Sequence, residues 1–189
     1  LVSDAFTLEA YINVSTGPQN YQGFLDFGDY GDIQRGFGFF LYSGGWRFYL
    51  KTTGTQKNDL QHVVASAPVN TWVHFAVRFQ NGNLTLYRDG IPVDSKVGDD
   101  GYVGLVDWSG YSGGLTLGSF DSTQTKYFNG MIDEVRLWNI ARDENKIKAY
   151  RNVGLSGEED GLIGYWRFDE GNPAINSVDL SSTNNSASF

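Results

Sequence analysis

Apolar and polar residues alternate along much of this chain, which is the pattern of β-strands that bury one face. Residues 72–79 show it most clearly, with a predicted buried face formed by Val73, Phe75, Val77 and Phe79. The opposite face of this segment carries Trp72, His74, Ala76 and Arg78. The alternation predicts an all-β fold in which antiparallel sheets pack face to face.

Turn signals divide the middle of the chain into further strands. We predict these strands at residues 36–40, 46–51, 84–88 and 91–96. They are separated by Gly-Gly, Asn-Gly-Asn and Asp-Gly sequences, which supply the backbone conformations that tight hairpins require. Many short strands joined in this way favour a two-sheet antiparallel jelly-roll sandwich.

The pattern changes from strand to helix near the middle of the C-terminal half. Residues 128–140 have the apolar spacing of a strand. Asp143 is placed to cap a short helix near residues 143–152, in which Ile147 and Tyr150 share a face. No other part of the chain shows clear helical periodicity, so the sequence predicts one short helix in an all-β domain.

The order of these segments resembles that of laminin-G-like and pentraxin domains of the concanavalin A-like lectin/glucanase superfamily. The resemblance rests on segments 6–12, 72–79 (Trp-x-His-x-Ala), 84–93, 115–118 and 128–150. It implies the jelly-roll fold and a domain of a larger secreted or cell-surface protein. It does not imply one activity, because a single scaffold can host many functions.

The position of residues 161–171 leaves two readings open. This segment resembles the strand with which many laminin-G-like repeats begin, yet here it comes after the other strands. It either starts a following repeat or folds back to complete the sheet, as in pentraxins, and we favour folding back. We therefore predict one domain over residues 1–175, followed by a Ser- and Asn-rich tail or linker over residues 176–189.

Composition excludes several classes of function. The formal net charge of -8 disfavours nucleic acid as a partner, because nucleic-acid surfaces bind clustered Lys and Arg. No apolar run approaches the roughly 18 residues of a membrane span. The chain has no Cys, which excludes disulfides and thiol chemistry.

Acidic residues and histidines do not form a catalytic pattern. Glucanases of the superfamily carry Glu-x-Asp-x-Glu along one strand, and this chain has no such segment. The acidic clusters, at residues 133–134, 158–160 and 169–170, place neighbouring carboxylates on opposite sides or in loops. His74 is expected to be a packed, hydrogen-bonded residue, and His62 has no nucleophile motif nearby. We predict that the protein is not an enzyme.

Calcium is a possible structural cofactor by resemblance, since loop Asp residues supply the oxygen ligands that it prefers. Asp133 matches the superfamily's structural calcium ligand, and Asp169 would lie nearby if the last strand folds back. The alternative is that Asp133 accepts hydrogen bonds from loop amides. Comparison with the pentraxin calcium pair adds Asp29, Asp32 and Asp121, although Lys126 stands where pentraxins place an amide.

Aromatic residues in loops are the remaining candidates for a binding site, because flat rings stack on the apolar faces of sugars. Trp108 and Tyr111 fall in a polar, Gly-rich loop. Three more aromatic residues stand beside Gly-rich turns, where exposure is expected, namely Tyr30, Tyr42 and Trp46. The tryptophans predicted to lie in strands and in the core are Trp72, Trp138 and Trp166.

These observations predict a non-catalytic, lectin-like carbohydrate-binding module. The alternative is a protein-interaction, adhesin or spacer module that binds no sugar. The expected partner is therefore a glycan or an extracellular protein, with neighbouring domains in a longer chain. An exposed aromatic row favours the first function, and a broad apolar patch without a groove favours the second.

Overall fold

A computed structural model describes residues 2–15, 22–28, 36–42, 45–51, 68–96, 106–107, 115–119, 126–171, 176–183 and 187–188. The strands are β1 (Val2–Ser3), β2 (Ala5–Val14), β3 (Gln22–Gly28), β4 (Gly36–Tyr42), β5 (Gly45–Lys51), β6 (Trp72–Gln80), β7 (Asn83–Arg88), β8 (Ile91–Lys96), β9 (Val106–Asp107), β10 (Thr116–Leu117), β11 (Gly130–Trp138), β12 (Leu162–Trp166), β13 (Asn176–Ser177) and β14 (Ala187–Ser188). The helix α1 spans Glu144–Tyr150.

Two antiparallel sheets form the body of the domain. One has six strands in the order β12-β11-β2-β6-β7-β8, and the other has four in the order β10-β3-β4-β5. Short pairings join β1 to β9 and β13 to β14. This arrangement confirms the predicted two-sheet antiparallel sandwich. Within the described residues, α1 is the only helix, and no helix is long and apolar enough to cross a membrane.

Aromatic side chains fill the space between the two sheets. Phe6 of β2 stacks on Phe37 of the four-stranded sheet and on Phe79 of β6, with ring centroids 5.5 and 5.6 Å away. The predicted buried face of β6 is confirmed, because its four apolar residues are part of this core.

The helix covers part of the outer face of the six-stranded sheet. Asp143 caps it as predicted, and its Oδ1 accepts hydrogen bonds from the backbone N–H groups of Asn145 and Lys146. Ile147 is fully buried and packs against Ala76 and Tyr87. This packing helps to hold the helix on the sheet.

The last long strand folds back into the domain. In β12, Trp166 pairs with Val135 and Tyr165 with Arg136, both in β11. This pairing confirms that the segment completes the sheet.

Part of the predicted polar tail also packs on β12. Asp179 is buried, and its Oδ1 accepts hydrogen bonds from the backbone N–H groups of Tyr165 and Ser181, both at 2.8 Å. Thr183 donates from its hydroxyl to the backbone oxygen of Ile163 at 2.7 Å. Residues 177–183 therefore do not behave as the loop or linker that the Ser- and Asn-rich composition suggested, because specific polar contacts hold them.

The strand tryptophans do not all lie in the core. Trp138 and Trp166 are buried as predicted, whereas Trp72 is 42% exposed. The prediction for Trp72 was wrong because period-two alternation places it on the same outer face as His74 and Arg78.

Candidate functional site

The outer face of the four-stranded sheet combines aromatic and polar side chains. In β4 and β5, alternate residues point into the core, and those between them point outwards. We call the outward set the aromatic face, which consists of Asp26, Gly38, Phe40, Tyr42, Arg47 and Tyr49. Aromatic rings beside a carboxylate and a guanidinium are the groups that commonly contact sugars.

Tyr49 and Asp26 form the buried end of the aromatic face. The Tyr49 hydroxyl donates a hydrogen bond to Oδ1 of Asp26 across the intervening strand β4. Gly38 makes this possible, since a Cβ at that position would lie 2.1 Å from Cε1 of Tyr49. The small residue lets the phenol ring lie across the strand, so the sequence of β4 fixes the Tyr49–Asp26 contact.

Tyr42 and Arg47 form the accessible end. Arg47 places its guanidinium carbon 4.4 Å from the centre of the Tyr42 ring, in cation–π contact. Both side chains are half-buried, whereas Phe40 and Tyr49 are almost fully buried. Tyr42 and Arg47 are therefore the groups of the aromatic face that a ligand can reach, beside the buried Phe40 and Tyr49.

Trp46 does not belong to this surface. It is 1% exposed and lies in the core, where its ring is 4.5 Å from Phe75 and 5.3 Å from Phe39, centre to centre. The expectation that Trp46 is exposed was wrong, because alternation in β5 points Arg47 outwards and Trp46 inwards. Its ring cannot stack on a ligand while it occupies the core.

The remaining aromatic candidates, Tyr30, Trp108 and Tyr111, lie outside the described residues. So do three of the predicted calcium ligands, Asp29, Asp32 and Asp121. Some of them directly follow a described strand in the sequence, since β3 ends at Gly28 and β9 at Asp107. The roles of all six remain predictions.

Asp133 and Glu134 form a β-bulge in β11. Glu134 has a φ of 51°, and the pairing of β11 with β2 shifts between Asp133 and Arg136. Oδ1 of Asp133 accepts a hydrogen bond from the backbone N–H of Glu134 at 2.8 Å. A contact of this kind is expected if Asp133 accepts hydrogen bonds from loop amides instead of binding calcium. Burial raises the pKa of Asp133, and the charges of Glu134 and Asp169 raise it further.

Guanidinium groups hold the other carboxylates of this cluster. Arg167 places Nη2 2.5 Å from Oδ2 of Asp169 and Nε 3.4 Å from Oε1 of Glu134. Arg136 also contacts Glu134, at 2.5 Å. Among the described residues, no three acidic or His side chains gather closely enough to hold a metal ion. The roles of Asp133 and Asp169 as calcium ligands remain predictions.

A second charged cluster is buried beneath the segment that precedes α1. Arg142 donates a hydrogen bond to Oε1 of Glu9, while Nε2 of His74 lies 3.3 Å from Oε2 of the same carboxylate. All three side chains are almost completely buried. His74 is thus packed as predicted and inaccessible to a substrate, although among the described residues neither of its ring nitrogens makes the expected hydrogen bond.

Sequence reasoning missed Asp26, Gly38 and Tyr49. A signal for Asp26 was present, since a carboxylate stands inside the apolar strand sequence Gly-Phe-Leu-Asp-Phe-Gly. An acidic residue at such a position needs a partner when it is buried. The identity of that partner depends on the register of β3, β4 and β5, which the sequence does not display.

Sheet order, the core between the sheets and the aromatic face together define a lectin-type β-sandwich. The chain belongs to the concanavalin A-like lectin/glucanase superfamily, because the superfamily's family model matches residues 1–148. None of the curated proteins matches this chain in sequence. The superfamily membership confirms the resemblance on which the fold prediction rested.

Solved structures show the same fold. An inferred carbohydrate-binding protein from Bacteroides ovatus aligns with a TM-score of 0.74 and 20% identity, over 99% of this chain and 52% of that protein. This chain thus spans about half of the B. ovatus protein's length. Domain 4 of AbnA, an extracellular arabinanase from Geobacillus stearothermophilus solved with arabinotriose, aligns with a TM-score of 0.56 and 15% identity, over 78% of this chain and 66% of that one. A pentraxin from Limulus polyphemus aligns with a TM-score of 0.57 and 13% identity, over 99% of this chain and 84% of that one.

Proposed function

We propose that this protein is a non-catalytic carbohydrate-binding module that acts in a secreted or cell-surface protein. The observation that carries the proposal is the aromatic face, where Tyr42 and Arg47 are accessible beside the hydrogen-bonded pair Tyr49 and Asp26. The AbnA domain that shares the fold was solved with a bound oligosaccharide, which supports the same ligand class here.

Each group of the aromatic face has a distinct part in the proposed binding. The Tyr42 ring offers a flat surface to the C–H groups of a sugar. Arg47 offers N–H donors to its hydroxyls, and its contact with Tyr42 keeps both side chains oriented before the ligand arrives. The loop residues Trp108, Tyr111 and Tyr30 are proposed to add further stacking surface.

A glycan array that includes arabinotriose tests this proposal. Tyr42→Ala and Trp108→Ala should each weaken binding, whereas Tyr150→Ala should not. Tyr150 is a half-exposed aromatic residue at the end of α1, on the other sheet, and serves as the matched control. Circular dichroism of each variant establishes that it is folded. A folded wild-type protein that binds no glycan would contradict the proposal.

The acidic residues support a binding function rather than hydrolysis. A glycosidase needs two carboxyl groups roughly 5 to 10 Å apart across a cleft. At the β11 bulge, Glu134 is held by Arg136, Arg167 and the hydroxyl of Tyr165, which donates to it at 2.8 Å. These contacts hold the carboxylate of Glu134 in place, so its oxygens are already engaged by the protein.

The protein-interaction alternative has one observation in its favour. Strand β8 lies at the edge of the six-stranded sheet and exposes Ile91 and Val93. Such an edge can pair with a strand of another protein, although Pro92 removes one backbone donor there. A folded Val93→Lys variant that loses a protein partner but keeps glycan binding would establish this second function.

Calcium is proposed as a structural cofactor that depends on the predicted loop ligands. A calcium-bound module would unfold at a higher temperature with calcium than after treatment with EDTA. Asp121→Asn should abolish that difference. Asp133→Asn should reduce it as well, because Asp133 matches the superfamily's structural calcium ligand. If the wild-type protein unfolds at the same temperature with calcium and after EDTA treatment, the proposal that calcium is a structural cofactor is wrong.

A further inference from the structure

The six-stranded sheet brings three side chains into one row on its outer face. Trp72 of β6 pairs with Asn13 of β2, and Asn13 is flanked on its other side by Met131 of β11. Trp72 and Met131 are 42% and 51% exposed, whereas the shorter Asn13 is 7% exposed. Since paired residues of neighbouring strands lie about 5 Å apart, Trp72 and Met131 stand about 10 Å apart, with Asn13 between them. We call this row, in which the recessed Asn13 lies between two exposed side chains, the groove.

The amide oxygen of Asn13 has no hydrogen-bond partner in the part of the chain that the structure describes. This atom, Oδ1, is also buried. Buried polar side chains almost always have such a partner, and leaving one without is unfavourable. The two ends of an amide exchange by a flip, so Asn13 can present either a donor or an acceptor to a group that enters the groove.

One end of the groove is also polar. The next row of the same face consists of His74, Tyr11 and Asp133, each two residues along its strand from the first row, and His74 is buried there. The Tyr11 hydroxyl donates to Oδ1 of Asn152, which fixes the ring beside the groove. Asp133 is half-buried and offers carboxylate oxygen to a hydroxyl donor.

We propose that this groove is a second saccharide site, on the sheet opposite the aromatic face, and that its ligand is a neutral pyranose. The indole of Trp72 stacks on the apolar face of the ring, and Asn13 and Asp133 pair with its hydroxyls. Acidic sugars are disfavoured, because Asp133 has Glu134 and Asp169 as neighbours and the chain has a net charge of -8. The proposal shares the ligand class of the proposed function but none of its residues.

The test is an NMR titration that follows the indole N–H groups of the tryptophans. The neutral probes are cellotriose, chitotriose and galactotriose, with sialyllactose as the acidic comparison. At least one neutral probe should shift the Trp72 indole resonance, and sialyllactose should not. Trp72→Ala should weaken that binding about tenfold or more, and Trp72→Phe should retain most of it.

Two further variants separate binding from folding. Asn13→Ala should also weaken binding, with its folded fraction checked by thermal unfolding because Asn13 is buried. Tyr127→Ala removes an exposed aromatic residue beside the four-stranded sheet and should leave this binding unchanged. If no probe shifts the Trp72 indole, the second site is overturned.

The two sites are distinguishable by crossing their variants. If glycan binding is lost in Tyr42→Ala but unaffected in Trp72→Ala, the second site is overturned while the proposed function stands. If it is lost in Trp72→Ala and unaffected in Tyr42→Ala, the second site is supported, and the assignment of binding to the aromatic face fails. A folded protein that binds no sugar overturns both.

Discussion

Arg142 donates a hydrogen bond to the carboxylate of Glu9, and both side chains are almost completely buried. The guanidinium of Arg142 also lies 4.0 Å from the ring centre of Trp138, and its backbone N–H donates to Oγ1 of Thr7 at 2.9 Å. These contacts tie the segment between β11 and α1 to β2. They hold the helix on the sheet together with the packing of Ile147.

Loss of the Glu9 charge should destabilise the domain strongly. Glu9→Gln leaves the buried guanidinium of Arg142 without its counter-charge, and breaking a buried pair in this way costs about 3–5 kcal/mol. Arg167→Gln is the control, because its pair with Asp169 is exposed and screened by solvent, so its loss should change the free energy of unfolding little. Urea unfolding of the two variants measures both free energies. Equal losses of unfolding free energy in the two variants would show that the buried pair contributes no more than the exposed pair.

The same carboxylate should contribute to acid sensitivity. Burial alone would raise the pKa of Glu9, but the adjacent His74 and Arg142 lower it below its ordinary value of 4.5. A lowered pKa in the folded state stabilises the protein above the unfolded-state pKa, and this contribution is lost as the pH falls through the folded-state value. The free energy of unfolding, measured between pH 7 and pH 3, should therefore fall less steeply in Glu9→Gln than in the wild-type protein. If the free energy of unfolding falls equally steeply with pH in the two proteins, the pKa of Glu9 is the same in the folded and unfolded states.

Gly38 should be required for the aromatic face. Gly38→Ala places a methyl group against the ring of Tyr49, which must move away from Asp26. We expect a loss of about 1–3 kcal/mol, the range for a disturbed buried hydrogen bond. Gly154→Ala is the matched control, since a Cβ there meets only Oη of Tyr165, at 4.0 Å. Thermal unfolding distinguishes the two, and a neutral Gly38→Ala would show that Tyr49 repositions freely.

The elements that could be predicted are those specified by local pattern. Alternation in residues 72–79 identified the core face of β6, and Asp143 identified the start of α1. The error at Trp72 arose because a large aromatic residue was given more weight than its position in the alternation. Residue type indicates a preference for burial, whereas the strand's periodicity determines the face.

The partners within the candidate sites could not be predicted, because they are distant in sequence. Glu9 is the only charged residue of β2, which marks it as unusual, but its partner Arg142 is 133 positions away. Asp26 meets Tyr49 only because β3, β4 and β5 pair in one particular register. Register depends on the whole sheet, so no local pattern could have specified these contacts.

The contrast between the tryptophans can be tested by fluorescence quenching. Trp46, Trp138 and Trp166 are buried, and Trp72 is half-exposed. In a Trp108→Phe background, which removes the one tryptophan outside the described residues, acrylamide should quench mainly Trp72. Adding Trp72→Phe should then remove most of the quenchable emission, while adding Trp46→Phe should leave it. If Trp46→Phe instead removes most of the quenchable emission, Trp46 is exposed and becomes a candidate for stacking on a ligand again. Quenching that falls when a neutral trisaccharide is added would also show that the ligand covers Trp72.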